Sequence, residues 1–165
     1  MSDTASRRHA LANVRVVDFS WVRAGPWATR WLGAFGAEVI KIEWPENERG
    51  RLPSTTTPQH LETNLNTSGN FNDTNVNKKS LSLNVRSAKG LEVVKQLIAI
   101  SDIVIENFSS RVLRNWGLGY DELCKIKPDI GLFFGFPFQI SICILRNTKI
   151  GNKRSSKINS SGTIY

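Results

Sequence analysis

Two rhythms of apolar and polar positions alternate along the first 130 residues. Residues 14–20, "VRVVDFS", are β-branched and end in polar side chains, which predicts a short buried strand. In the following "WVRAGPWATRWLGAFG", Pro26 suits a first helical turn, where its missing N–H costs nothing. Trp27, Ala28, Trp31, Leu32 and Phe35 then recur at helical spacing until Gly36 ends the pattern. Residues 37–44, "AEVIKIEW", predict the next strand. A strand, a helix of about ten residues and a second strand favour a parallel crossover.

The segment 45–77 is polar, rich in Thr, Asn, Ser, Pro and Gly, with little periodicity. A connection of that length is either functional or disordered. A second unit follows. Residues 78–85, "KKSLSLNV", alternate as a strand. Residues 87–100 predict an amphipathic helix with Leu91, Val94, Leu97 and Ile98 on one face. Residues 102–108, "DIVIENF", predict a strand that stays apolar until Glu106 and Asn107. Short helices are expected around 112–116 and 121–125. Two such units predict an α/β sheet whose strand ends carry the ligand. After Ile130 the periodicity lapses. The aromatic run 132–138 predicts one strand at most, and residues 151–165, rich in Lys, Asn, Ser and Gly, read as disordered.

Composition narrows the class. A chain of 165 residues fits one domain. The net charge of +8 raises nucleic acid or an anionic membrane as partner, but its distribution argues against both. Residues 1–130 hold 17 basic and 14 acidic side chains, and the other five basic residues all follow. Basicity is thus a property of the tail. Cys124 and Cys143 lie in unrelated contexts with no metal-ligand spacing, which predicts reduced thiols. The N-terminus lacks the apolar core of a secretory signal. The apolar run 132–145 contains Pro137 and is shorter than the roughly 20 residues of a membrane span. These features predict a soluble cytoplasmic protein with no metal.

Several residues are candidates for chemistry, each with a plainer alternative. "RAGP" (residues 23–26) follows the first strand at a helix N-terminus, where backbone N–H groups and the helix dipole favour an anion. An ordinary tight turn is the plainer reading, and the segment is not the G-x-G-x-x-G fingerprint. Lys78 and Lys79 enter a strand either as site residues or as solvated edge lysines. Asn107 either faces the ligand crevice or caps a turn. Arg111 and Arg114 share a helical face, either to bind phosphate or in solvent. His9 and His60 have no evident partner. The five tryptophans at 21, 27, 31, 44 and 116 are expected to pack in the core.

Three segments in this order, "VVDFSWVRAGPWATRWLGAFGAEVIKIE", "NVNKKSLSLNV" and "DIVIENFSSRVLRNWGLGYDEL", resemble the N-terminal part of the family III CoA-transferases. This is the CaiB/BaiF type, which includes formyl-CoA transferase and methylacyl-CoA racemase relatives. The resemblance covers residues 11–130. It implies a Rossmann-like parallel-sheet half of the family fold, with 1–10 as a flexible N-terminus and 131–165 as an irregular tail outside the family pattern. It also implies coenzyme A or acyl-CoA as substrate, with a small carboxylic acid as partner. Subunits of the family interlock, so it implies a homodimer or pairing with a longer relative. By position, CoA contacts fall on Arg23 and Ala24, on Leu83, Asn84, Val85 and Arg86, on Asn107, Phe108 and Ser109, and on Arg114. This part of the pattern does not separate transferase from racemase.

The chain departs from the family pattern in four places. Trp44 stands where many members carry arginine after the "KIE" strand. Asn115 replaces the arginine two positions before "GLGY", with Arg114 adjacent. Ser109, Ser110 and Arg111 stand where a "PG" turn is frequent. After Ile130, "GLFFGFPFQISICIL" does not match the family's glycine-rich "SGFGQTGP"-like loop. The family's catalytic aspartate lies beyond that loop, whereas this chain has no Asp or Glu after Asp129. A truncated CoA-transferase half that binds CoA but is inactive alone is therefore expected, or else a non-catalytic CoA-binding or dimerisation module.

Overall fold

The computed structural model describes residues 9–44, 69–109, 111–136 and 139–143. The elements in chain order are β1 (Arg15–Asp18), α1 (Ala24–Ala34), β2 (Glu38–Glu43), α2 (Gly69–Thr74), β3 (Lys78–Ser82), α3 (Ala88–Ala99), β4 (Ile103–Glu106), α4 (Val112–Asn115), α5 (Tyr120–Ile126), β5 (Gly131–Phe136) and β6 (Gln139–Cys143). They build one sheet of order β3-β2-β1-β4-β5-β6. The first five strands run parallel, and β6 is antiparallel to β5. The α/β parallel-sheet architecture is the one expected from the two crossover units.

Successive residues of the central strands bury on opposite faces, which is why those strands are apolar throughout. Val17, Ile42 and Val104 join Val94 and Ile98 of α3, Leu113 of α4 and Leu123 of α5 in one core. Val16, Val39 and Ile105 face the other way with Leu32 of α1. Ser87 caps α3, its side chain accepting a hydrogen bond from the Gly90 N–H at 3.0 Å. Gly36, at φ 101°, ends α1, with bonds from Gly36 N–H to Gly33 O and from Ala37 N–H to Leu32 O, both 3.0 Å.

Three expectations need correction, and a fourth point decides between two open readings. The apolar face of α1 points outward: Trp27, Trp31 and Phe35 are 38%, 48% and 55% exposed, while Gly25, Pro26, Thr29 and Gly33 are buried. Only small residues let the helix lie close to the sheet, so the inward stripe is two residues out of phase with the aromatic one. Trp27 and Trp31 instead pack edge to face, centroids 6.2 Å apart, with the Arg30 guanidinium 4.9 Å from the Trp27 ring. Second, α2 lies within the stretch read as an irregular loop, docked on α1 through Arg30–Asp73 at 2.8 Å. Third, two strands follow Ile130 where at most one was expected, because β6 folds back onto β5 as a hairpin. Fourth, Lys78 is not a solvated edge lysine, as described below. Residues 1–8, most of the loop (45–68), including His60, and residues 144–165 lie outside the described residues.

Candidate functional site: the crevice at the strand ends

The strand order reverses between β1 and β4, and the α1 turn sits at the carboxyl ends of these two strands. In open α/β sheets ligands bind at that reversal. Backbone pairing between the two strands ends with Phe19 N–H donating to Ile105 O at 2.8 Å. One step further, the Asn107 side chain takes over. Its Nδ2 donates to Trp21 O and its Oδ1 accepts from Trp21 N–H, both at 2.7 Å. Asn107 is thus a clamp across the crevice, and its carboxamide satisfies a backbone that would otherwise be unpaired.

The clamped turn is strained. Val22, 64% exposed, has φ 65°, a region that β-branched residues rarely occupy. Arg23 is the N-cap of α1 and its side chain makes no capping bond. Arg23 and Ala24 are exposed, so the first N–H groups of α1 open outward. Gly25 is buried there by necessity: a Cβ at this position would lie 2.2 Å from Ser20 Cβ and 3.3 Å from Asn107 Cγ.

Beneath the turn lies a buried charge cluster. Asp18, fully buried at the end of β1, accepts from Ser20 N–H at 2.9 Å, from the Ser20 hydroxyl, from Thr29 Oγ1 at 2.6 Å and from Lys78 Nζ at 3.1 Å. Lys78 also donates to Pro26 O and to Asn75 Oδ1, each at 2.9 Å. Lys41 donates to Ser20 O at 2.7 Å. Burial pushes the Asp18 carboxyl up, but Lys41, Lys78 and the hydroxyls of Ser20 and Thr29 together hold it below 3.8. Burial pulls Lys78 down from 10.5 to about 8, against the attraction of Asp18. Glu106, buried at the end of β4, is raised by desolvation, partly offset by the Phe108 N–H bond at 2.5 Å. Of these charges only Lys78 is a candidate from sequence; Asp18, Lys41 and Glu106 carry no site role there. Their signal was present: a charged residue inside an apolar strand, as in "VVD" and "VIKI", requires a buried partner.

The remaining expected residues surround an aromatic cleft. Phe19, Trp21, Ile42, Trp44, Leu83, Val85, Phe108 and Trp116 line it. Phe108 stacks edge to face on Trp21 at 5.2 Å and on Trp116 at 5.6 Å. The rings close on one another, leaving about 10 Å³, the lower limit for holding a single water. Asn84 shapes the adjoining turn by accepting from Arg86 N–H at 3.0 Å, and the Arg86 guanidinium lies 5.0 Å from the Trp44 ring centroid. Leu83, Val85 and Phe108 are thereby brought together, and Arg23, Ala24 and Asn107 adjoin them through Trp21. Ser109 and Arg114 are exposed and do not line the cleft.

The pattern of a known family coincides with this half-sheet. The model for CoA-transferase family III matches residues 11–131. The chain belongs to CoA-transferase family III. It is 41% identical over 120 residues to succinyl-CoA:glutarate CoA-transferase of Mus musculus, covering 73% of this chain and 26% of that relative. It is 40% identical to the succinyl-CoA–L-malate CoA-transferase beta subunit of Chloroflexus aurantiacus, covering 72% of this chain and 28% of that one. A CaiB/BaiF family protein from Brucella suis superposes with a TM-score of 0.65 at 33% identity, over 76% of this chain and 33% of that one. The family III chain described here thus spans about a quarter to a third of the length of these relatives.

In this family III chain the arginine expected after β2 is Trp44, and Arg86 covers that ring. Arg86 comes from the turn between β3 and α3. Among the described residues no helix is long and apolar enough to cross a membrane.

Proposed function

We propose that this chain binds coenzyme A at the ends of β1, β3 and β4, as the CoA-binding half of an enzyme that moves CoA between small carboxylic acids. The observation that carries this reading is the clamped, strained turn at the α1 N-terminus, facing the strand-order reversal of a family III chain. The first N–H groups of α1 receive phosphate oxygens, and Arg23 and Arg86 supply charge. Leu83 and Phe108 offer apolar surface to the rest of the cofactor over the buried Val85, and Asn84 contributes a polar edge from the adjoining turn. Isothermal titration of the chain with CoA tests the site. Saturable binding that weakens about tenfold in Arg86→Ala is expected, since one charge-assisted contact is lost. No heat at millimolar CoA overturns the reading.

The chain alone does not complete transfer. A carboxylate attacks an acyl-CoA thioester only when it is open to the acyl carbon and its anhydride is shielded from water. At this crevice Asp18 and Glu106 are buried, and Asp18 is saturated with hydrogen bonds. No acidic residue follows Asp129, where the family pattern carries the aspartate that forms acyl and CoA intermediates. An assay with succinyl-CoA and glutarate, L-malate or oxalate is expected to give no product; turnover by this chain overturns that statement.

A second reading concerns assembly. The exposed Trp27, Trp31 and Phe35 of α1 favour a module that pairs through this helix, with itself or with a longer relative. Sedimentation of the chain alone and mixed with a full-length relative tests it. A monomer in both conditions overturns it.

A further inference from the structure

Lys78 and Lys79 are consecutive on β3 yet have opposite fates. Strand alternation sends Lys79 outward to Glu38, with 71% of its side chain exposed, and Lys78 inward, where 2% is exposed. Asn77, at φ 61°, makes the turn that delivers Lys78, and Asn75 from the same turn orients its ammonium. The ammonium then reaches two groups separated by the α1 turn: the Asp18 carboxylate before it and the Pro26 carbonyl after it. Lys41 holds the same turn from β2 through Ser20 O. Asn107 holds it from β4 through both backbone groups of Trp21. Three strands therefore restrain a turn whose Val22 sits in the left-handed region. Such a residue keeps that conformation only when its surroundings over-determine it.

We propose that Lys78 is a positioning residue for CoA binding: joining Asp18 to the Pro26 carbonyl, it fixes the α1 turn so that its N–H groups stay aimed into the crevice. This rests on the reading of that turn as the CoA phosphate site. A buried ion pair adds little to stability compared with an apolar replacement, and its best attested use is to select one geometry. Here the geometry selected is that of the turn. The charged groups acting on Lys78 are Asp18 from β1 and Lys41 from β2. The α1 helix faces it with the Pro26 carbonyl, and the turn after α2 with the Asn75 carboxamide. Arg30 and Asp73, on those same two helices, are paired with each other. Lys78 loses its proton near pH 8 and then no longer bridges as a cation.

The test compares the full chain with Lys78→Met, Lys78→Arg and the surface control Lys79→Met. CoA titrations run from about pH 6.5 to 9.5, a range across which phosphates with pKa near 6 stay mostly charged. Amide hydrogen exchange is followed across residues 20–29. Lys78→Met is expected to weaken CoA binding about tenfold near neutral pH, a one-decade loss of affinity. Its exchange across 20–29 rises while that of α3 stays unchanged. Wild-type affinity falls above about pH 8, the Lys78→Met profile stays flat there, Lys78→Arg restores part of the affinity without the fall, and Lys79→Met matches wild type. Lys78→Met binding CoA like wild type, with the same pH profile, overturns the proposal. Should the unchanged chain take up no CoA, the site reading falls. The exchange comparison then still decides whether Lys78 holds the turn, and unaltered protection of residues 20–29 rejects it. If Lys78→Met fails to fold, Asp18→Asn breaks the same bridge from its other end, and the same readings apply.

Discussion

Gly25 has no room for even one methyl group, since a Cβ there meets Ser20 Cβ at 2.2 Å. Gly25→Ala is expected to destabilise the chain by about 1–3 kcal/mol, the usual range for overpacking, measured by chemical denaturation. Asn107 allows a sharper experiment because it both donates and accepts. Asn107→Asp keeps an acceptor for the Trp21 N–H but sets a carboxylate oxygen against the Trp21 carbonyl. The variant is expected to lose about 1 kcal/mol or more near neutral pH, the cost of a failed hydrogen bond at a partly buried site. It should regain part of this in acid, where a protonated carboxyl donates again; equal loss at both pH values would show that the clamp is not polar in origin. Sequence left Asn107 open between ligand contact and turn cap. The structure gives the amide a capping bond pair on a chain segment 86 positions away. Local reading misses such a partner because nothing near residue 107 encodes it.

Among the elements, α3 and α1 were legible to different depths. Helix α3 follows its pattern, with Val94 and Ile98 buried and Ser87 at the cap, because periodicity and capping act within a few residues. Ser87→Ala is expected to cost about 1 kcal/mol. Gly90→Ala should cost more, since its Cβ would lie 2.0 Å from the Asn84 carbonyl oxygen in the turn that carries Arg86. Thermal unfolding of the two variants ranks them, and a Gly90→Ala chain as stable as wild type contradicts the packing. Helix α1 was recognised, but its rotation was not. Its aromatic residues and its small residues repeat with one period, and the choice between them depends on the gap between helix and sheet, which no local window contains. Trp31→Glu is therefore expected to change monomer stability by no more than about 0.5 kcal/mol, as for other exposed positions. The β5–β6 hairpin escapes for a similar reason: β6 takes its register from pairing with β5, and the aromatic run 132–138 covers only the first of the two strands.

For the molecule as a whole, the buried pair under the turn makes two pH signatures. Asp18 has a folded pKa below its ordinary 3.8, so its stabilisation is present above that value and is lost as pH falls through the folded pKa. Lys78 has a folded pKa of about 8 against 10.5. Between these values the unfolded chain holds more protons, so this group makes stability rise with pH across that window. Denaturation midpoints from about pH 7 to 10.5 should therefore climb relative to those of Lys78→Met, while CoA affinity falls over the same range. Parallel rather than opposed trends would contradict the assignment of Lys78.

The tryptophans also divide the molecule into two optical compartments. Trp21, Trp44 and Trp116 ring the cleft, whereas Trp27 and Trp31 stand on the outer face of α1. A cofactor entering the crevice must part the first set and leave the second untouched; a protein partner on α1 would do the reverse. Iodide quenching of the outer pair, read beside the emission of the cleft rings, would let one unlabelled sample report occupancy and assembly as separate signals.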